Sequence, residues 1–338
     1  MSAHPLAVSV LLPVRDAAKH LEEAAASLEA QTFSDFEVLA IDDGSKDETP
    51  SILAEWARRD PRVRVERQPG RGIVAALERA RSIARGTYLA RMDGDDIAEP
   101  TRLEAQLNLM RDRPEIAACG CRVRYFPRQA VRDGARRYER WLNASIDPDE
   151  IARDMFVECP IAHPTLFVRA EAVDAVGGYR DVAWPEDYDL ILRLWAAEGR
   201  FAKVPDALLH WREGAGRLSR TSERYGLEAF LACKLHFLRD TLLRGKTGAV
   251  IWGAGPVGKA ASRALTEGGT RVEAFVEVDP RKIGQEIHGV PVLDASAGAL
   301  AQGALHLAAV GQPGARGRLR ALLTDAGLEE LRDFVAIA

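Results

Sequence analysis

Cysteine is scarce in this chain, with four residues in 338. Cys119 and Cys121 form a C-x-C pair, while Cys159 and Cys233 stand alone. Neither zinc-ligand spacing nor a disulfide framework emerges, so buried thiols in a reducing cytoplasm are expected. Long apolar runs are also missing, and none nears the roughly 18 residues of a spanning helix. The N-terminal MSAHPLAVSVLLPV lacks a basic region and a small-residue cleavage site, which argues against a secretory leader. Charge of one sign is not in excess. The formal net charge is -4 and the pI about 6.0, which gives no reason to expect a nucleic-acid partner. Internal repeats and low-complexity tracts are absent. What is present, 47% hydrophobic and 28% charged residues, suits a globular protein with one large or two modest cores.

Apolar runs of strand length alternate with helical periodicity from residue 8 to 92. VSVLLPV (8–14) and FEVLAI (36–41) read as buried strands, RVRVE (62–66) as an alternating one, and TYLARM (87–92) as a fourth. Between them, Leu21, Ala24, Ala25 and Leu28, then Ile52, Leu53 and Trp56, then Ile73, Val74, Leu77, Ala80 and Ala84 mark three helices. Asp16 is expected to cap the first, and Thr49-Pro50 to open the second. A doubly wound parallel sheet is the economical arrangement. Further on, 101–112 reads as a helix and 116–126 as a strand. The arginine-dense stretch 122–140 reads as a solvated hairpin, or as a contact surface for an anionic acceptor or lipid headgroups.

Ligands of such sheets collect at the carboxyl ends of the strands. Asp42 and Asp43 follow the second strand; Asp93, Asp95 and Asp96 follow the fourth. Three carboxylates in four positions repel one another unless a cation neutralises them. Mg²⁺ bound to phosphate oxygens is a natural partner, and Gly94 would let the backbone turn between ligands. A plain solvated acidic turn is the alternative.

In its order of motifs the chain resembles the family 2 glycosyltransferases of GT-A fold. The resemblance lies in VSVLLPVRDAAKHLEEAAASLEAQTFSDFEVLAIDDGSKDET (8–49), ARGTYLARMDGDDIAEPTRLEAQ (84–106), IAHPTLFVRAEAVDAVGGYRD (161–181) and WPEDYDLILRLW (184–195). It covers about the first 220 residues, and its individual motifs are short. It implies a mostly parallel, doubly wound α/β sheet of the nucleotide-diphospho-sugar transferase type. It implies an inverting, metal-dependent enzyme that moves a sugar from a nucleoside diphosphate, UDP favoured, to an acceptor hydroxyl. Pro13, Val14, Arg15 and Asp16 would line the base, and Asp42 would hold base or ribose with Asp43 and Ser45 beside it. Asp95 would ligate Mg²⁺ or Mn²⁺, Asp93 would reach the ribose or a metal-bound water, and Asp96 would stand behind them. Asp187 would be the general base, with Glu186 its neighbour or an acceptor contact. His163 falls in a segment near the acceptor, or is simply a structural histidine. His210, Arg212, Arg217 and Arg220 lie where relatives close a basic segment over the diphosphate. The acceptor would be a glycan or lipid-linked intermediate of envelope or exopolysaccharide synthesis, and the location cytoplasmic, with peripheral contact at the inner membrane face. Glu78-Arg79-Ala80-Arg81 departs from relatives that carry an asparagine in this helix, which puts donor contacts from it in doubt.

Three stretches are expected: a transferase domain over 1–222, a helical connector over 223–245, and a small Rossmann-like α/β domain over 246–338. In the last, GAGPVG follows the strand GAVIW, and Gly253, Gly255 and Gly258 fit G-x-G-x-x-G, with Glu277 and Asp279 about 20 residues on. Either NAD or another nucleotide binds there, or the turn is structural. Two rival readings accompany the transferase: an NAD-dependent sugar-modifying oxidoreductase using this fingerprint, and a non-catalytic nucleotide-sugar-binding scaffold.

Overall fold

The computed structural model describes residues 6–214, 217–295, 303–312 and 314–338. The chain divides into two units. The first holds residues up to Ile151 together with Pro160–Ser222; the second holds Ala152–Cys159 and everything from Glu223 on.

In the first unit the strands are β1 (Val8–Val14), β2 (Phe36–Asp42), β3 (Val63–Arg67), β4 (Tyr88–Arg91), β5 (Ile97–Ala98), β6 (Ile116–Phe126), β7 (Phe167–Arg169) and β8 (Arg200–Arg212). The helices are α1 (Leu21–Glu29), α2 (Thr49–Arg59), α3 (Ile73–Ile83), α4 (Arg102–Asp112), α5 (Asp133–Ala144), α6 (Pro148–Asp154), whose last three residues fall in the second unit, α7 (Ala170–Ala175), α8 (Glu186–Ala196) and α9 (Leu218–Thr221). The strands form one sheet in the order β3-β2-β1-β4-β7-β6-β8-β5. The expected parallel arrangement holds from β3 to β4. Beyond it β7 runs antiparallel to both β4 and β6, and β5 antiparallel to β8. All of β2 is buried and β1 almost so, because both of their faces are covered by helices. Trp56, Leu53, Leu21 and Leu28 pack with Val38, Leu12 and Val10 in the core.

Three local expectations change. Asp16 does not cap α1; its backbone is left-handed (φ 49°), its Oδ1 accepts from Lys46 N at 2.8 Å, and the helix starts five residues later. Thr49 is the first residue of α2, and its hydroxyl accepts from Ala17 N at 2.8 Å. The arginine-rich stretch is no hairpin. Arg122 and Arg124 lie on β6, and Asp133–Ala144 is helical. Tyr138, Trp141 and Leu142 recur at helical spacing and turn toward the sheet, leaving Arg132, Arg136, Arg137 and Arg140 exposed.

The second unit has α10 (Leu227–Asp240), β9 (Ala249–Trp252), α11 (Pro256–Glu267), β10 (Val272–Glu277), β11 (Glu286–Ile287), β12 (Val290–Asp294), β13 (Leu305–Ala308), α12 (Ala315–Asp325) and β14 (Phe334–Ala336). Its sheet runs β11-β12-β10-β9-β13-β14, parallel except for β11. Leaving β11 aside, the order is that of a dinucleotide-type sheet, third-second-first-fourth-fifth. The helix expected as a connector, α10, buries Cys233, Lys234, Leu235, Phe237 and Leu238.

The glycine turn after β9 is a packing device at its last position. A Cβ on Gly258 would lie 2.0 Å from the carbonyl oxygen of Gly253, whereas one on Gly255 would meet open space. Gly258→Ala should therefore lower stability by about 1–3 kcal/mol or more. Gly255→Ser, at the N-cap of α11, should stay within about 0.5 kcal/mol of the parent. Thermal unfolding of the two variants checks this; equal losses would refute the packing account.

Candidate active site

Strand register builds the site. Val14 pairs with Asp42 and Leu11 with Arg91, so the segments after β1, β2 and β4 emerge on one rim. A return strand completes it. Ile97 pairs with His210, and Phe126 with Arg212, which carries the end of β8 to the acids that follow β4.

The two carboxylates after β2 play different parts. Asp42 Oδ1 accepts from Ser45 N at 2.9 Å, and its Oδ2 lies 3.1 Å from Arg67 Nε without hydrogen-bond geometry. Asp43 is a scaffold. Its oxygens take Gln68 Nε2 at 2.7 Å, Arg71 N at 2.7 Å and Gly72 N at 2.9 Å, which fixes the loop 68–72. Ser45 Oγ accepts from Asp16 N at 2.9 Å, so the turn after β2 also holds the turn after β1. Pro13 is half-buried, Val14 buried, and Arg15 and Asp16 are exposed beside this pair of turns.

Asp93, Asp95 and Asp96 each offer a carboxylate oxygen, and these oxygens lie within 4.8 Å of one another. Asp96 is 1% exposed. Its Oδ1 accepts from Arg212 N at 2.7 Å, and its Oδ2 has no hydrogen-bond partner among the described residues. Burial first, then the charges of Asp93 and Asp95, push its carboxyl well above the ordinary range. Burial and then Asp93 raise Asp95 also, against Arg91, Arg217 and Arg212. A hard-oxygen set with an orphaned buried oxygen fits a divalent cation. Gly94 sits in the expected turn, which Asp96 N closes on Asp93 O, and it also serves closeness: its φ is not left-handed, and a Cβ there would lie 2.7 Å from Val14 Cγ1.

Arg91 was missed by sequence reasoning. It ends the otherwise apolar β4, is 4% exposed, and forms an ion pair with Asp93. Burial opposes its charge, but Asp93 more than restores it, so its pKa is raised. On its other side Arg91 acts electrostatically on Tyr179 and His163. His163 Nε2 lies 3.0 Å from Tyr179 Oη, and its Nδ1 is 3.8 Å from Glu186 Oε1. A chain of buried groups thus runs from Asp93 to the start of α8. Glu186 is buried there, and Asp187 is partly exposed with Oδ1 accepting from Tyr188 N at 2.8 Å. Asp189 is structural, taking Trp184 Nε1 at 3.0 Å and Arg193 Nε at 2.7 Å. Glu78 is also structural: it accepts from Tyr179 N at 2.6 Å and pairs with Arg81.

Of the basic segment 210–222, residues 215 and 216 lie outside the described residues. Arg212 Nε donates to Asp95 O at 2.6 Å, and its guanidinium lies 4.3 Å over the Phe126 ring. Arg217 lies 4.3 Å over Trp211, which stacks on Tyr125 at 5.0 Å. Burial opposes its charge and Tyr125 raises it, and its field reaches Asp95 and Asp96. Arg220 pairs with Glu213 at 2.5 Å, and His210 with Glu99 at 2.6 Å, both turned to protein acids. The aromatic platform beneath Arg217 was unread: Tyr125 lies near the end of a strand that the sequence suggests, but the strand that carries Trp211 was not expected.

In the second unit, Gly253, Gly255 and Gly258 do form a strand–turn–helix. The acid nearest this turn is Glu277, whose Oε2 accepts from Ala254 N at 3.1 Å and pairs with Lys282 at 2.9 Å. Asp279 is held by Arg281 at 2.8 Å.

A mixed sheet whose strand ends carry paired acids, with a basic return strand beside them, is an arrangement of the GT-A type. The Glycosyl transferase family 2 profile matches residues 9–177, half of the chain, and the protein belongs to that family. The match ends before Glu186. The amylovoran biosynthesis glycosyltransferase AmsE of Erwinia amylovora is 29% identical over 215 residues, 63% of this chain and 78% of its own. An uncharacterized glycosyltransferase, MJ1057 of Methanocaldococcus jannaschii, is 28% identical over 62% of this chain and 71% of its own. The crystal structure of S. aureus TarS 1-349 with UDP-GlcNAc superposes with a TM-score of 0.56 and 17% identity, covering 69% of this chain and 66% of that one. The protein is a glycosyltransferase.

The buried histidine gives a pH signature. Burial and then Arg91 hold His163 well below its ordinary 6.5, so it folds neutral. The unfolded chain takes up the proton first, and stability present above pH 6.5 is lost as pH falls below it. The loss should reach about 1.4 kcal/mol per pH unit until the folded group protonates. His163→Gln should remove that slope in urea unfolding between neutral pH and pH 5. An unchanged slope would mean that other groups carry it.

Proposed function

We propose that the first unit transfers a sugar from a nucleoside diphosphate sugar to an acceptor hydroxyl by a single inverting displacement, with a divalent cation at the rim. The observation that carries this is the oxygen set of Asp93, Asp95 and Asp96, with its orphaned Asp96 oxygen, beside Arg212 and Arg217. Asp95 would hold Mg²⁺ or Mn²⁺, with Asp96 behind it. When bound, that cation would offset the negative charge of the departing diphosphate. Pro13, Val14, Arg15 and Asp16 would bound the base, and Asp42 would address base or ribose. Arg217, which would exchange its Glu213 and Tyr125 contacts for phosphate oxygens, is the best placed guanidinium for the diphosphate. Arg212 is tied to Asp95 and Asp96 and would shape the rim instead.

Asp187 takes the acceptor's proton. The acceptor oxygen forms its bond to the anomeric carbon as the bond from that carbon to the phosphate oxygen breaks, and the diphosphate leaves with the electron pair. Glu186, buried beside His163, would orient the helix start that presents Asp187. AmsE and TarS, by their names and ligands, make UDP-sugars and exopolysaccharide synthesis the preferred setting. The exposed arginines of α5 would meet anionic headgroups or an anionic acceptor, which fits peripheral membrane contact. No helix among the described residues is long and apolar enough to cross a membrane. The oxidoreductase reading is not favoured, since it leaves this rim without a role.

A chelator should abolish donor hydrolysis or transfer, and Mn²⁺ or Mg²⁺ should restore it; activity that survives chelation would count against the metal. Asp187→Asn should lower kcat by about 10²–10⁴ while leaving donor affinity nearly unchanged, as read by calorimetry with UDP-sugars. Full activity of that variant would remove Asp187 as the base.

A further inference from the structure

The rim contains three carboxylates, but one of them is already engaged from beneath. Arg91 is 4% exposed, and its guanidinium touches Asp93 as an ion pair. Charge leads in this contact, and a hydrogen bond to Asp93 adds to it. Leu11, Leu89, Leu166 and Val168 line a small void with Arg91 and Tyr179. Burying an arginine there is costly, and Asp93 is the group that chiefly compensates it. Its stem is fixed by β4, which pairs in register with β1 and β7, so it cannot follow Asp93 if that carboxylate swings outward.

We propose that Arg91 is a positioning residue that withholds Asp93 from direct metal coordination and leaves Asp95 as the aspartate at the front of the site, with Asp96 behind it. This rests on the metal reading of the rim given above. Two free carboxylates would bind a divalent cation without the nucleotide. With Asp93 neutralised from beneath, the bare rim binds the cation weakly, and phosphate oxygens of the donor must complete the ligand set. Cation and nucleotide then bind together, and the rim discharges both once the sugar has moved.

The test is Mn²⁺ binding to the full chain, read by electron paramagnetic resonance of free Mn²⁺, with no donor present and then with UDP. Asp95→Asn should abolish binding in both conditions. Asp93→Asn leaves the Arg91 charge uncompensated and should weaken bare Mn²⁺ binding by up to about tenfold, far less than the loss on Asp95→Asn. Arg91→Met should tighten bare Mn²⁺ binding by about tenfold while lowering kcat, and adding Asp93→Asn to it should cancel the gain. A purely structural arginine would instead weaken metal binding on removal. Circular dichroism checks folding of Arg91→Met. If that variant does not fold, the comparison of Asp93→Asn with Asp95→Asn decides the question alone. Equal losses of bare Mn²⁺ affinity for those two variants, or weaker binding by folded Arg91→Met, overturn the inference and leave the metal reading intact. Failure of the parent chain to bind Mn²⁺ even with UDP overturns the metal reading, and the inference with it.

Discussion

Repulsion among three carboxylates organises the first unit. At 4.8 Å, two unit charges in surroundings of effective dielectric about 20 repel by about 3.5 kcal/mol. A rim that kept all three charged without compensation would open. The structure compensates each differently. Asp93 meets a buried guanidinium, Asp96 accepts a backbone N–H of β8, and Asp95 is left partly exposed. That asymmetry turns an acidic turn into a site with a front and a back.

The compensation depends on backbone order rather than on long side chains. Arg91 is placed by its register opposite Leu11, and the N–H of Arg212 by the pairing of β8 with β6 and β5. Asp43 and Ser45 do the same for the donor side, tying the loop 68–72 and the turn at Asp16 to the end of β2. Most of the polar groups near the rim are therefore scaffold. Among the described residues, the partly exposed Asp95 and the open oxygen of Asp96 stand out from that scaffold.

Much of this was legible in the residues. The runs at 8–14 and 36–41 read as central strands because they are almost wholly apolar; Glu37, the one acid, is buried against Ser9, Arg64 and Arg85. The acids after β2 and β4 announce a rim, since the carboxyl ends of parallel strands gather there. Other features depend on partners remote in sequence. Arg91 looks like an ordinary strand residue until β7 and Tyr179 bury it. The helix α5 was hidden by its arginines, although Tyr138, Trp141 and Leu142 already carried the helical period. Gly94 was read as a turn residue and is one, but the Val14 side chain across the rim is a further reason for glycine there, which no spacing reveals. The separation of 152–159 from its sequence neighbours is likewise a matter of packing.

The same distinction between local pattern and packing bears on the glycine fingerprint of the second unit. Gly253 has φ 107° and faces Val310 and the Ala309 carbonyl closely, and Gly258 lies against Gly253. Both glycines are required by strand–helix packing whether or not a ligand binds. Only Gly255 is left for a phosphate to explain. Beside it, Glu277 already occupies the Ala254 N–H, one of the donors a pyrophosphate would use, and Lys282 neutralises that carboxylate. A nucleotide would have to displace an internal anion that the fold supplies for itself. Packing and self-satisfaction account for two of the three glycines and for the acid, so the motif in this chain argues for a stable sheet before it argues for a second cofactor.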